Sequence, residues 1–336
     1  MTRVAINGFG RIGRNTFKAG WGKKGLKFVG INDLTDTKSL AYLLKHDTVY
    51  GEWNHRVSYT KNAIVVDGVK IPAFMEKDPT QLPWKKLNVD VTLECTGVFR
   101  TEELASQHLT AGAKRVIISA PSKGGNINTY MQGVNVAKLK KSDKIIDNAS
   151  CTTNCIAPVA AIVESKWGIK KAAMTTIHAY TADQRLVDAA HKDPRRGRTA
   201  GQNIIPTTTG AAIATTRAIP SLNKKFDGMS IRVPIAVGSL SDFTLFLKKK
   251  VTVEQVNNHF KKMTKHPLYK GILGITEEPL VSSDFLGDER SSIVDLGMTK
   301  VIDGDLLKLV VWYDNEWGYS HRLAEMAIEV GKKLKK

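Results

Sequence analysis

The stretch Gly8-Phe9-Gly10-Arg11-Ile12-Gly13 decides the fold of the first part of this chain. An apolar strand-like run, residues 3–7, precedes it, and a helix-compatible run, residues 14–19, follows it. The next apolar run leads to an acid, Asp33, which lies 20 residues beyond Gly13. In this context the glycines permit a tight turn and let the backbone approach a pyrophosphate. The N-terminus of the following helix stabilises the negative charge of that group. The carboxylate of Asp33 can accept hydrogen bonds from ribose hydroxyls and would repel a 2′-phosphate. The stretch therefore predicts a dinucleotide site.

Strand-like and helix-like runs alternate from this stretch as far as Ser119, for example at 89–94 and 115–118. Such βα alternation is typical of a parallel sheet. Beyond Cys155 the apolar runs become longer, as at 229–237, 239–247 and 306–312. The predicted fold is α/β: a Rossmann-type parallel-sheet domain over 1–150, and an α+β catalytic domain over 151–315 with a mixed or antiparallel sheet.

Cys151 lies where a strand-like run, 144–146, gives way to a helix-like run, 156–162. A thiol at a helix N-terminus feels unpaired backbone N–H groups and the positive end of the helix dipole, so we expect its pKa to be lowered. Alternatively, Cys151 could be a small apolar side chain buried in the core, as many free cysteines are. The hydroxyl and amide residues on both sides, Ser150, Thr152, Thr153 and Asn154, favour an open polar pocket instead.

An activated cysteine usually has a histidine partner. His178 is the best candidate, because it follows a β-rich run at 172–177, and strand ends commonly present catalytic side chains. Spacing alone leaves the Cys151–His178 pairing open. The other histidines lie in charged or amphipathic surroundings and are expected to face solvent: His46, His55, His108, His191, His259, His266 and His321.

A dinucleotide site and a reactive cysteine together point to aldehyde oxidation. Attack of the thiolate converts an aldehyde into a thiohemiacetal, whose oxidation yields a thioester. The thioester can pass its acyl group to water or to phosphate, and this chemistry alone leaves both acceptors open.

Composition narrows the class of protein further. The chain has 336 residues and 37.0 kDa, which suits two domains. Its three cysteines favour a reducing compartment, and the Cys151-x3-Cys155 spacing lacks further residues to complete a metal site, so no metal is expected. No run approaches the roughly 20 apolar residues of a membrane helix, and we expect no signal peptide and no membrane contact.

The formal net charge of +18 is unusual, and lysines concentrate at 138–144, 248–250, 261–262 and 332–336. No coherent basic face with aromatic residues is identifiable, so a solvated basic surface is favoured over specific nucleic-acid binding. A positive field would also attract phosphorylated substrates and anionic cofactors.

The chain resembles the phosphorylating glyceraldehyde-3-phosphate dehydrogenase family from end to end. The blocks that carry the resemblance are residues 7–14, 32–34, 150–154, 176–181, 195–198, 206–212, 232–234 and 312–319. The resemblance implies a homotetramer in the cytoplasm that uses NAD to oxidise D-glyceraldehyde 3-phosphate with inorganic phosphate to 1,3-bisphosphoglycerate. It also implies that a C-terminal helix, 316–336, returns to complete the nucleotide domain.

Roles for particular residues follow from the same resemblance. Cys151 would be the nucleophile and His178 the acid–base group. Inorganic phosphate would be bound by Ser150, Thr152, Thr209 and Gly210, and the substrate's C3 phosphate by Thr181, Arg196 and Arg232. The cofactor would be contacted by Gly8, Gly10, Arg11, Ile12, Gly13, Asp33, Lys77, Thr96, Ser119 and Asn315.

Several positions depart from the family's pattern. Asp147 stands where a serine is usual, and its carboxylate would raise the pKa of Cys151 if it pointed inward. Cys95 replaces a serine, Ile213 replaces a lysine, and residues 235–238 lack the usual Thr-Pro pair. The pair Ala189-Ala190 replaces the Leu-Pro of NAD-specific members, so we expect NAD preference with some NADP use. The alternatives are an erythrose-4-phosphate dehydrogenase, or a basic nucleic-acid-binding protein with a vestigial site.

Overall fold

The computed structural model describes residues 1–335, and the last residue of the helix predicted over 316–336, Lys336, lies outside the described residues. Two compact units divide the chain. The first unit comprises Met1–Met131, Val136–Ala149 and the chain from Ser320 onwards, and the second comprises Gln132–Asn135 and Ser150–Tyr319.

The described part of the first unit contains eleven strands and three complete helices. The strands are β1 (Thr2–Asn7), β2 (Leu26–Asn32), β3 (His46–Asp47), β4 (Gly51–Glu52), β5 (Val57–Thr60), β6 (Ala63–Val66), β7 (Val69–Phe74), β8 (Val91–Glu94), β9 (Arg115–Ile118), β10 (Asn128–Thr129) and β11 (Ile145–Asp147). The helices are α1 (Arg11–Gly20), α2 (Thr37–Lys45) and α3 (Glu102–Thr110).

Nine of these strands form one sheet in the order β10-β11-β9-β8-β1-β2-β7-β6-β5. The pairs from β10 to β7 are parallel, and β5 and β6 add an antiparallel edge. Strand β1 lies in the middle, where Asn7 is in register with Glu94 of β8 on one side and with Asn32 of β2 on the other. The carboxyl ends of these parallel strands therefore meet at one edge, where open α/β sheets bind ligands.

The described part of the second unit contains seven strands and three complete helices. They are α4 (Cys151–Trp167), β12 (Ile169–Ala179), β13 (Ile205–Thr208), α5 (Ala211–Ala218), β14 (Phe226–Val233), β15 (Ser239–Leu247), α6 (Val253–Met263), β16 (Leu273–Thr276), β17 (Ser292–Ile302) and β18 (Leu306–Tyr313). The last helix, α7 (Trp317–Lys335), follows them, and its residues from Ser320 onwards belong to the first unit.

The sheet of the second unit is mixed, with the order β13-β14-β12-β15-β18-β17-β16. Strand β12 runs parallel to β14 and antiparallel to β15. One face carries the core, in which Phe243 and Leu245 pack with Ile156 of α4 and Phe260 of α6. The predicted α/β fold with a parallel-rich sheet and a mixed sheet is confirmed.

Some local predictions were wrong. The strand expected at 229–237 begins earlier and ends at Val233, because residues 234–238 turn away before β15. Two histidines expected to face solvent, His108 and His321, are buried. Both lie on helices packed against the first unit's interior, which a short sequence window does not reveal.

Candidate active site and dinucleotide-binding cavity

A cavity of about 460 Å³ lies in the first unit at the carboxyl ends of β1, β2 and β8. Its lining residues are Asn7, Gly8, Gly10, Asn32, Asp33, Leu34, Glu76, Lys77, Cys95, Thr96, Val98 and Phe99. Five of the predicted cofactor residues therefore line the cavity: Gly8, Gly10, Asp33, Lys77 and Thr96.

The three glycines of the turn differ in what surrounds them. Gly8 has a φ of +89°, and a Cβ atom there would lie 2.7 Å from the backbone nitrogen of Thr96. A Cβ on Gly13 would lie 2.2 Å from the carbonyl oxygen of Gly8. At Gly10 nothing would lie within 4 Å of a Cβ, so the chain there borders open space. This arrangement suits the close approach of a pyrophosphate.

Helix α1 begins directly after that open space. Its N-cap residue, Gly10, has no side chain to bond the first N–H groups. Uncapped N–H groups at a helix N-terminus attract an anion. The chain therefore has the donors that the phosphates of a dinucleotide need.

Asp33 is held rigidly at the end of β2. Its Oδ2 accepts the Phe9 N–H at 2.6 Å, and its Oδ1 accepts the Thr35 N–H at 3.0 Å. Each oxygen retains a lone pair for a ribose hydroxyl. The carboxylate is thus fixed in the cavity wall, so the residues present fit a dinucleotide with an unmodified ribose.

The remaining predicted cofactor residues lie outside the described lining of this cavity. Arg11 is paired with Asp47 at 2.8 Å, and the Ser119 N–H bonds the carbonyl oxygen of Glu94. Ile12 and Gly13 lie in α1.

Asn315 belongs to the second unit, where its Oδ1 accepts the Gly238 N–H at 3.1 Å and the Ser239 hydroxyl at 2.9 Å.

Cys151 and His178 meet in the second unit. Cys151 is the first residue of α4, and the Ser150 side chain caps this helix by accepting the Thr153 N–H. The Sγ atom of Cys151 lies 3.4 Å from Nε2 of His178, near the end of β12. The pairing that spacing left open is therefore a contact in the folded chain.

Arg232 lies next to the histidine, because β12 and β14 pair in parallel and their register places His178 opposite Arg232. Its Nη1 lies 2.8 Å from Nδ1 of His178 and donates to the Ala179 carbonyl oxygen at 3.1 Å. Nδ1 also lies 2.7 Å from that carbonyl oxygen. Arg232 can only donate, and with its N–H directed to this carbonyl oxygen, Nδ1 can carry a proton of its own. In that tautomer Nε2 is free to take the thiol proton.

Burial dominates the electrostatics of the pair. It raises the pKa of the Cys151 thiol, and the charge of Arg232 offsets only part of that rise. Burial and the charge of Arg232 lower the pKa of His178 to about 3. The expectation of a lowered thiol pKa was therefore wrong for the free site, because the helix N-terminus does not overcome the desolvation of the thiol.

Several predicted anion-binding groups also lie in the second unit. The Thr152 hydroxyl lies 3.0 Å from the Tyr313 hydroxyl. Thr209 Oγ1 accepts the Ala211 N–H, and Gly210 is the N-cap residue of α5, which has no side-chain cap. The backbone N–H of Thr181 bonds Gln184 Oε1 at 3.3 Å.

Arg196 is held by a set of contacts that the sequence did not reveal. Its Nη1 is paired with Asp183 at 2.6 Å, its Nε donates to Thr207 Oγ1 at 2.9 Å, and its Nη2 donates to the Thr208 carbonyl oxygen at 3.1 Å. Sequence reasoning gave no role to Asp183 or Tyr313, which contact the predicted site residues Arg196 and Thr152. Asp183 follows Thr181 by two residues and Tyr313 lies in the 312–319 block, and these positions could have indicated both.

The departures from the family pattern have local explanations. The Asp147 carboxylate accepts hydrogen bonds from Ser122 N–H, the Thr129 hydroxyl and Ala149 N–H. Asp147 is not among the groups that raise the pKa of Cys151. Burial raises the pKa of the Cys95 thiol to about 12. Ile213 is exposed on α5.

The described residues contain no cluster of three or more His, Cys, Asp or Glu side chains placed to hold a metal ion. Among residues 1–335, no helix is long and apolar enough to span a membrane.

Comparison with known proteins agrees with this architecture. Residues 2–102 match the model of the glyceraldehyde 3-phosphate dehydrogenase NAD binding domain, and residues 150–315 match that of the C-terminal domain. The chain is 51% identical over 327 residues to the glyceraldehyde-3-phosphate dehydrogenase of Thermotoga maritima, covering 97% of this chain and 98% of that protein. It is 49% identical over 332 residues to that of Geobacillus stearothermophilus, covering 98% of each. It is 48% identical over 334 residues to glyceraldehyde-3-phosphate dehydrogenase 2 of Streptomyces avermitilis, covering 99% of each.

The fold and the two matches define an NAD-dependent dehydrogenase of two domains. More particularly, the chain belongs to the glyceraldehyde-3-phosphate dehydrogenase family.

Proposed function

We propose that this chain oxidises D-glyceraldehyde 3-phosphate, with NAD and inorganic phosphate, to 1,3-bisphosphoglycerate. The observation that carries this proposal is the contact of Cys151 with His178, with two arginines in the same unit. Gly8, Gly10, Asp33, Lys77 and Thr96 would hold NAD, which supplies the hydride acceptor when bound.

The thiol and the imidazole would perform the covalent steps. His178 Nε2 takes the Sγ proton as the thiolate attacks the aldehyde carbon, and it returns that proton to the carbonyl oxygen to give the thiohemiacetal. It then takes the hydroxyl proton as the adduct is oxidised to the thioester. Positive charge on the imidazole during these steps stabilises the thiolate.

Charge and hydroxyl groups would bind the two phosphates. Arg232, Arg196 and Thr181 would bind the C3 phosphate, since a guanidinium fork matches a phosphate dianion. Ser150, Thr152 and the Thr209-Gly210 turn would bind inorganic phosphate, whose oxygen attacks the thioester and releases Sγ. The pairing of Arg196 with Asp183 supports a guanidinium held in place before substrate arrives.

An assay with two sugar phosphates tests the substrate and the acceptor. Turnover of glyceraldehyde 3-phosphate and of erythrose 4-phosphate is measured with and without phosphate or arsenate. We expect turnover that prefers glyceraldehyde 3-phosphate and requires the oxyanion. Oxidation without phosphate, or a preference for erythrose 4-phosphate, would overturn the proposal in favour of the erythrose-4-phosphate dehydrogenase.

A second candidate function, from a different class of protein, is nucleic-acid binding by the basic surface, with a vestigial enzyme site. The intact contact between Cys151 and His178 argues against it. A steady-state assay at physiological salt separates the two, since only the binding protein would lack turnover and hold RNA or DNA in a salt-resistant way.

We also propose a homotetramer in the cytoplasm, with domains at 1–150 and 151–315 and the C-terminal helix completing the first. On the second unit's sheet, the apolar side chains Met229, Phe246 and Ile302 are exposed on the face away from the helical core. Leu186 is 84% exposed in the loop after β12. Apolar surface of this kind favours association, and the free thiols suit a reducing compartment. Light scattering that gives the mass of a monomer would contradict the tetramer.

A further inference from the structure

His108, in α3, is a titratable side chain that the proposed chemistry does not use. It is fully buried in the first unit, as are its neighbours Trp84 and Glu94. A buried imidazole beside a buried carboxylate is costly unless every polar atom is bonded. Each of the ring's two nitrogens has a partner.

The hydrogen bonds of His108 determine its tautomer. Trp84 Nε1 lies 3.2 Å from Nδ1 of His108, and an indole N–H can only donate. Nδ1 therefore accepts, and the ring proton sits on Nε2. Nε2 lies 3.0 Å from Oε2 of Glu94, so His108 donates to this carboxylate.

Glu94 is a buried side chain whose two oxygens lie within hydrogen-bond distance of four donors. Oε2 accepts from Asn7 Nδ2 at 2.6 Å and from His108. Oε1 accepts from the Thr96 N–H at 2.8 Å and from the Thr96 hydroxyl. The carboxylate thus fixes the side chain at the end of β1 and the turn that follows β8.

The chain of contacts continues across the sheet. Asn7 Oδ1 accepts from Asn32 Nδ2 at 2.7 Å, and Asn32 exchanges two hydrogen bonds with the backbone of Glu76. Asn7, Asn32, Glu76 and Thr96 all line the dinucleotide cavity. The ring of Phe99, which also lines it, lies edge-on to the His108 ring at 6.1 Å.

We propose that His108 is a positioning residue for dinucleotide binding, acting through Glu94 on the floor of the cavity; this inference rests on the proposed use of NAD. Without the Nε2 proton, Glu94 lacks a donor in a site with little access to water. The carboxylate then shifts toward its other donors, on Asn7 and Thr96, or bonds a water molecule that enters the site. Either change alters the preformed shape of the cavity floor. Cys151 and His178 belong to the other unit, so the chemical step is unaffected.

The test compares His108→Leu with His108→Gln, whose amide nitrogen can replace Nε2 as the donor. NAD binding is measured by calorimetry in the absence of substrate. We expect His108→Leu to raise the Kd for NAD about tenfold and His108→Gln to restore most of the affinity. In turnover, KM for NAD follows the Kd, whereas kcat at saturating NAD stays within about twofold.

Leu109→Ala is the matched control. It removes an apolar side chain of the same helix, which packs on Ala105, Val116 and Ile118. We expect it to lower Tm and leave the Kd for NAD unchanged. An equal loss of affinity in this control at a similar Tm would overturn the inference.

Trp84→Phe is the second variant, should His108→Leu fail to fold. It removes the donor that keeps the ring proton on Nε2, and we expect it to raise the Kd for NAD a few-fold. Wild-type affinity in Trp84→Phe or in His108→Leu would overturn the inference. A wild-type protein that does not bind NAD would instead contradict the proposed function.

Discussion

The Sγ atom of Cys151 lies 3.4 Å from Nε2 of His178, and Arg232 Nη1 lies 2.8 Å from the other ring nitrogen of the same histidine. Burial raises the pKa of this thiol and lowers the pKa of the imidazole. Both shifts favour the proton on sulfur in the free site. Transfer of that proton over a short contact is the event that activates the nucleophile.

Replacement of Cys151 by serine should abolish dehydrogenase turnover, by at least about a thousandfold, because a hydroxyl in this site does not form the required nucleophile. The Kd for NAD should stay unchanged, since Cys151 does not line the dinucleotide cavity. Steady-state kinetics and calorimetry measure the two effects. Cys155→Ala, which changes the buried thiol of the next helical turn, should retain turnover, and normal activity in Cys151→Ser would eliminate the mechanism.

His178→Asn should slow acylation by about a hundredfold or more, because it removes the group that takes the thiol proton. The same change should slow alkylation of Cys151 by iodoacetamide at neutral pH. A pre-steady-state burst of NADH measures the first effect, and incorporation of the label measures the second. Unchanged alkylation in His178→Asn would show that the thiol does not depend on this imidazole.

The pH dependence of stability should contain a contribution from His178. Its pKa falls from the ordinary 6.5 to about 3 on folding, so the unfolded chain binds this proton first as the pH is lowered. The stabilisation is complete above pH 6.5 and is lost progressively as the pH falls toward 3. Denaturant unfolding at several pH values should show a shallower loss in His178→Asn than in the wild type. Equal slopes in the two proteins would contradict the burial of a neutral imidazole.

Cofactor preference should favour NAD, with measurable use of NADP. The carboxylate of Asp33 is held by two backbone N–H groups, and its repulsion of a 2′-phosphate is on the order of a few kcal/mol. Asp33→Ser should therefore shift the ratio of kcat/KM values toward NADP. If kcat/KM with NADP equals or exceeds kcat/KM with NAD in the wild type, the argument from Asp33 is wrong and the exposed Ala189-Ala190 pair decides the preference.

Tyr313→Phe should lower stability and weaken phosphate binding together. The hydroxyl of Tyr313 bridges Thr152 Oγ1 at 3.0 Å and Thr176 Oγ1 at 2.8 Å, all within the buried interior. Its removal should cost about 1–3 kcal/mol of unfolding free energy. Because Thr152 is proposed to bind inorganic phosphate, KM for phosphate should rise. Tyr269→Phe, at a buried tyrosine elsewhere in the core, should leave that KM unchanged.

The sequence by itself determined the features that depend on neighbouring residues. The Gly8–Gly13 turn between a strand and a helix indicated a dinucleotide site, and the cavity now contains Gly8, Gly10 and Asp33 together. The positions of Cys151 and His178 at element ends were also readable, since each depends on where a local apolar run stops. The family resemblance supplied the role of Arg232, which no local pattern indicated.

The tertiary structure alone decided what depends on burial and on long-range pairing. The register of β12 with β14 places Arg232 next to His178, and desolvation, which no sequence window measures, raises the pKa of Cys151. His108 was expected in solvent and is instead bonded to Glu94 and Trp84, because the packing of α3 on the sheet encloses it. Local spacing governs turns and caps, whereas charge states and contacts between distant segments follow from which surfaces exclude water when the chain folds.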